Sequence, residues 1–272
     1  MTAYKNALAS ALFFLSLIFI GGCSTLPIKP LEIECAAPRV PVTGYARAFV
    51  GGARLSGADI RWLERNKHFN TNAQGQFAFC AKPGEPVTLA FHKVDTPYYN
   101  RYADLQSATI FVPRQGLVGK YNELTFQAPR EITYRWLKRI VLSERHAELR
   151  DTDCHVVATV SGYHKTMDDE MHGEEGAVVE LTLQGKRVIP AEKPFYFGVL
   201  LTKTNPFTPG LNHTSRDGGV LFINLPASKS LYTLKAYKKG VKFTDAYFKC
   251  LPNRFINLSP PQGPRVVGPL NN

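Results

Sequence analysis

Thr71-Asn72-Ala73-Gln74-Gly75-Gln76-Phe77-Ala78-Phe79 is a polar turn that closes on a glycine and runs into alternating apolar residues. The glycine can take the positive φ that a tight turn demands. Alternation puts Phe77 and Phe79 on one face of a strand. The pattern returns as Thr214-Ser215-Arg216-Asp217-Gly218-Gly219-Val220-Leu221-Phe222, with Val220 and Phe222 sharing a face.

The correspondence extends outward from these two turns. Downstream, Pro83-Gly84 precedes Val87-Thr88-Leu89-Ala90-Phe91, and Pro226-Ala227 precedes Tyr232-Thr233-Leu234-Lys235-Ala236-Tyr237. Upstream, Ser56-Gly57-Ala58-Asp59-Ile60-Arg61-Trp62 matches Glu175-Gly176-Ala177-Val178-Val179-Glu180-Leu181. Short alternating strands between turn residues at this spacing predict a mainly β chain of two sandwiches. The order Gly44-Tyr45-Ala46, Leu55-Ser56-Gly57-Ala58, the Thr-x-x-x-Gly-x-Phe turn and a closing strand resembles a carboxypeptidase regulatory-like domain. The resemblance covers roughly residues 35–128 and, more loosely, 150–260. It implies seven-stranded, transthyretin-like (Ig-like) sandwiches that are non-catalytic and present loops or stiffen another element.

The stretch between the halves reads as a linker. Ile132, Trp136, Ile140 and Ala147 recur at helical intervals among Arg135, Lys138, Arg139 and Arg145, while Ile132, Tyr134 and Trp136 also alternate. A bridging helix is slightly favoured over a strand, and its basic face could also touch acidic head groups.

At the N-terminus, Lys5 precedes an apolar run from Ala7 to Ile20, too short for a comfortable span of roughly 20 apolar residues. Ile20-Gly21-Gly22-Cys23 follows and resembles a bacterial lipobox. That resemblance implies cleavage before Cys23 and acylation of its sulfur, palmitate included. Ser24 stands where an aspartate would resemble an inner-membrane retention signal, so the outer membrane is expected. The chain then divides into a signal peptide (1–22), a tether (23–34), a first sandwich (35–128), a linker (129–153), a second sandwich (154–260) and a proline-rich tail (261–272). The tail, beginning in Asn257-Leu258-Ser259-Pro260-Pro261-Gln262-Gly263-Pro264, is expected to be extended and to form neither helix nor central strand, because prolines lack backbone donors.

Composition fits this outline. The 272 residues include 19 prolines and 21 glycines, and 44% are hydrophobic, ordinary for a folded β protein. A formal charge of +11 favours anionic partners such as lipopolysaccharide, acidic lipid head groups, acidic glycans or peptidoglycan, and an envelope protein or an anionic glycan or lipid is the expected partner. No helix-turn-helix, zinc-finger or RNP-like pattern points to nucleic acid. Besides Cys23, the cysteines are Cys35, Cys80, Cys154 and Cys250. Four in an exported chain suggest disulfides, and of three connectivities Cys35–Cys80 with Cys154–Cys250 is preferred, one bridge inside each half.

Candidates for chemistry are few. His164, Asp168, Asp169, Glu170 and His172 crowd one loop, between Tyr163 and Glu175, with residue types that suit divalent metals. Their spacing matches neither the EF-hand nor the His-Glu-x-x-His pattern, so a solvated acidic loop is the preferred reading. Tyr98, Tyr99, Arg101 and Tyr102 lack nearby histidines for an iron site. No nucleophile elbow or phosphate-cradling loop occurs. The expectation is a lipid-anchored, non-enzymatic envelope module without a cofactor. A metal-binding protein or metalloenzyme built on the 164–175 loop, and a component of a secretion or pilus assembly, are the alternatives.

Overall fold

The computed structural model describes residues 29, 31–94, 101–200, 203–205 and 210–269. Cys23, the lipobox and the signal segment lie outside the described residues. The first half contains β1 (Val40–Ala48), β2 (Asp59–Trp62), β3 (Lys67–Asn70), β4 (Gln76–Ala81), β5 (Pro86–His92), β6 (Leu105–Phe111) and β7 (Leu124–Ala128). Helix α1 (Glu131–Arg145) follows. The second half contains β8 (Asp153–Thr159), β9 (Val178–Leu183), β10 (Lys186–Val188), β11 (Phe195–Tyr196), β12 (Gly198–Leu200) and β13 (Lys203–Asn205). It continues through β14 (Gly219–Pro226), β15 (Ser228–Tyr237), β16 (Val241–Phe243), β17 (Ala246–Cys250), β18 (Arg254–Leu258) and β19 (Val266–Pro269).

The internal repeat is real at the level of hydrogen bonds. The buried Thr71 hydroxyl donates to Leu55 O (2.6 Å) and accepts from Ala58 N (2.8 Å). The buried Thr214 hydroxyl donates to Glu174 O (2.5 Å) and accepts from Ala177 N (2.9 Å). Gly57 N–H donates to Thr71 O, and Gly176 N–H to Thr214 O. Gly75 and Gly218 both stand at φ above +70° or at it (+70° and +74°), and their carbonyls accept from Ala46 and Val160. A Cβ at either glycine would collide with the neighbouring backbone, which explains why both turns close on this residue.

Strand pairing repeats as well. β1 lies between antiparallel β4 and parallel β7, and β8 lies between antiparallel β14 and parallel β18. The opposing layers run β3-β2-β5-β6 and β10-β9-β15-β17. The first half is thus a sandwich of three strands over four, and the second repeats that core as β14-β8-β18 over β10-β9-β15-β17, with β11 added beside β14. Among the described residues the fold is mainly β with one helix, as the sequence predicts.

What the sequence does not announce is how the halves join. β6, the edge of the first four-stranded layer, pairs parallel with β18, the edge of the second half's β11-β14-β8-β18 layer (Phe255↔Leu105, Asn257↔Ser107). A single eight-stranded sheet, β11-β14-β8-β18-β6-β5-β2-β3, therefore runs through both halves. Polar contacts reinforce the junction: Gln106 Nε2 donates to Lys249 O (2.7 Å), and Lys249 Nζ reaches Glu64 (2.6 Å).

β18 corrects the expectation for the C-terminal stretch. Asn257 and Leu258 belong to a central strand, since they precede the first proline and keep their own N–H groups. Beyond them, Ser259, Pro260, Gln262, Gly263 and Pro264 are buried. Proline carbonyls still accept: Thr125 Oγ1 donates to Pro260 O (2.8 Å) and Ser161 N to Pro264 O (2.9 Å). β19 then pairs with β16. This stretch is a packed part of the fold, not a solvated tail.

Both disulfides pair as preferred from the sequence. Cys35–Cys80 ties the segment before β1 to β4, and Cys154–Cys250 ties β8 to β17 across the second sandwich.

Candidate functional site

Helix α1 is set by local chemistry. Glu131 occupies the first turn, where the helix dipole favours an anion, and bonds Arg135 four residues on (2.6 Å). His146 ends the helix in a left-handed conformation, its N–H donating to Leu142 O. The buried stripe is Tyr134, Leu137 and Val141, not the Ile132–Trp136 series suggested by spacing. Ile132 and Trp136 stay 64% and 57% exposed. The helix is therefore apolar on more than its packed face.

Beside that packed face opens an apolar cleft of about 210 Å³. One wall is the helix, through Tyr134, Trp136, Leu137 and Ile140. The opposite wall is the outer face of the second sandwich, through Val157, Phe197 and Phe255. Phe49 and Gln127 of the first sandwich close one side, and His172 and Asp217 another. The cleft thus exists only because the two halves and the linker meet. Several of its polar atoms are already bonded: Asn257 Oδ1 accepts from Ser259 Oγ (2.9 Å), His172 Nδ1 faces Asp169 O (3.0 Å), and Asp217 Oδ2 accepts from Gly219 N (3.1 Å).

Cations stand over its aromatic wall. Lys138 Nζ lies 4.9 Å from the Tyr134 ring centre, and the Arg139 guanidinium 5.7 Å from that of Trp136. Neither forms an ion pair with a described residue.

The histidines and carboxylates of the 164–175 loop do not converge. Asp168 pairs with Arg47 of the first sandwich (2.8 Å), and Arg47 also donates to Met167 O (2.6 Å). Asp169 accepts from the Thr166 N–H and hydroxyl, both at 2.8 Å. Burial works against its charge, yet those two bonds hold its carboxyl below the usual range. Glu174 pairs with Lys238, and Glu175 with Arg216. His164 stacks between Tyr163 and Tyr121, with ring centres 3.9 and 5.2 Å away. Glu170 is exposed. Among the described residues no three histidine, cysteine or acidic side chains come together as a metal-binding group.

Near Arg47 lies a compact charged seam. The Arg54 guanidinium covers the Tyr45 ring at 3.6 Å, and burial, with the Asp168 charge behind it, pushes the Tyr45 phenol up to about 12. Burial also raises Glu123. The seam fastens the acidic loop to the first sandwich. Of the tyrosine cluster, Tyr98 and Tyr99 lie outside the described residues, Tyr102 is buried, and Arg101 sits 3.9 Å from Asp104 and from Glu131.

No family model matches this chain, and no curated protein matches it. Among solved structures, it is similar to the shaft pilin SpaA of Lactobacillus rhamnosus GG at 13% identity, covering 86% of this chain and 99% of that one with a TM-score of 0.25. It is also similar to the minor pilin of Streptococcus agalactiae at 11% identity, covering 84% and 96% with a TM-score of 0.28. Likenesses this distant transfer nothing of those proteins' roles to this chain.

Proposed function

We propose that this chain is a lipid-anchored, non-catalytic module of a bacterial envelope, held on the outer membrane by acylated Cys23. The observation that carries this reading is the pair of disulfides, Cys35–Cys80 and Cys154–Cys250. Such bridges persist in oxidising compartments, which supports export through the N-terminal signal. The repeated sandwich core supports reading both halves as regulatory-like sandwiches, and the internal pairing of Asp168, Asp169, Glu174 and Glu175 favours a binding or structural role over metal chemistry. The partner is an envelope protein or an anionic glycan or lipid.

Cys23→Ala is the test. In the native host, radioactive fatty acid should label the wild-type chain and not the variant, and the variant should leave the membrane fraction. Labelling that survives the substitution sinks the anchor. Crosslinking of the membrane-held chain then identifies the partner, and an assembly subunit of a secretion system or pilus would move the protein to that class.

A further inference from the structure

We propose that the cleft between α1 and the outer face of the second sandwich binds a single aliphatic chain carrying an anionic head group. Three observations select this ligand. The first is size. A volume of about 210 Å³ falls below the ~300–1,000 Å³ typical of pockets for drug-sized molecules. It is too small for a glycan or a partner helix, and a slender acyl chain fits.

The second is polarity. Val157, Phe197 and Phe255 on the sheet face Tyr134, Leu137 and Ile140 on the helix. Asn257 Oδ1, His172 Nδ1 and Asp217 Oδ2 are bonded inside the protein, and the rest of the lining is mostly apolar, which offers little to orient a sugar or a peptide. A hydrocarbon needs no such partners, and its burial is driven by the apolar area it removes from water.

The third is charge. Lys138 and Arg139 stand over Tyr134 and Trp136, two rings that line the cleft, and no described carboxylate pairs with either cation. Asp217 lines the opposite side. An anionic amphiphile is therefore oriented with its tail between the walls and its head at the helix. The inference concerns the cleft alone and does not depend on acylation of Cys23.

The test is photolabelling of the full chain, isolated from the envelope in a neutral detergent, with a diazirine-bearing decanoic acid. Saturable adducts should map to peptides holding Trp136–Ile140 and Val157. Unlabelled decanoate should compete better than decanol. Reversing both cations, Lys138→Glu with Arg139→Glu, should weaken competition by decanoate about tenfold, the scale of two partly exposed charge contacts, and leave decanol unchanged. Val157→Trp should fill the cleft and abolish the adducts. If that variant loses its cooperative melt, Thr133→Trp at the helix wall replaces it. Adducts that do not saturate, that scatter over the surface, or that survive a folded cleft-filling variant overturn the proposal. Equal competition by decanoate and decanol overturns the assignment of an anionic head. Loss of acyl labelling in Cys23→Ala with cleft adducts retained separates the two proposals.

Discussion

His155 shows how much one buried side chain can say about pH. It lies on β8, 4% exposed, and its Nδ1 accepts the Asn224 N–H at 3.1 Å. Accepting at Nδ1 requires the neutral ring with the proton on Nε2. Burial, aided by the charge on Lys138, pulls its pKa down to about 4 from the usual 6.5. Between those values the unfolded chain binds a proton that the folded chain refuses. The stability contributed by neutral His155 is therefore full above pH 6.5 and is lost as pH falls toward about 4, a difference on the order of 3 kcal/mol. Raised Glu123 acts in the opposite sense, its share being lost as pH rises through its folded value. His155→Asn, whose amide oxygen can take the place of Nδ1, isolates the histidine. Melting temperatures measured from pH 7 to 4 should fall more steeply for the wild type than for this variant, and parallel curves would remove His155 from the account. Arg47 makes a second residue-scale case. Arg47→Met should free the 164–175 loop from the first sandwich, read as faster amide exchange at Met167 and Asp168, while the bonds of Asp169 to Thr166 persist.

Elements that the sequence made legible are those written in local chemistry. The turns at Gly75 and Gly218 need positive φ, and β4 and β14 follow them as the alternation requires. The helix was visible in its charges and spacing, but its buried stripe was not. Ile132 and Tyr134 both offer a large apolar surface, and only the sheet beneath decides which one turns inward. β18 was hidden for another reason. A strand followed after one residue by Pro260 and Pro261 looks like an unfinished tail, and its two parallel partners lie far away in sequence. The segment after it makes a sharp prediction. Gly263 packs against backbone, and a Cβ there would collide with the carbonyls of Thr159 and Leu258. Gly263→Ala should cost about 1–3 kcal/mol through overpacking, lowering the melting temperature by several degrees. An unchanged melt would mean that the segment is not held against β8 as described.

At the scale of the whole molecule, the repeat was readable and its closure was not. Two copies of one motif announce two sandwiches, yet no residue type marks β6 and β18 as edges that will find each other. The cleft shares that opacity, since Phe49, Tyr134, Val157 and Phe255 converge only after the edges have paired. A shared sheet has a thermodynamic consequence. Separating the halves would strip β18 from β6, expose Gln106, and break Lys249 from Glu64, so neither sandwich should melt alone. Calorimetry of the oxidised chain should give one transition whose calorimetric and van't Hoff enthalpies agree, and two resolved peaks would refute this coupling. The disulfides should then act on the same transition to different degrees. Cys154–Cys250 spans 96 residues and Cys35–Cys80 spans 45. The chain-entropy relation gives roughly 5 and 4 kcal/mol for such loops, a modest gap. Burial widens it: Cys154 and Cys250 are fully buried, so replacing them also disturbs close packing between β8 and β17, whereas Cys35 and Cys80 are partly exposed. Paired Cys→Ala variants should therefore melt in the order wild type, Cys35/Cys80, Cys154/Cys250, and the reverse order would place the weaker seam in the second sandwich rather than at the N-terminal edge of the first.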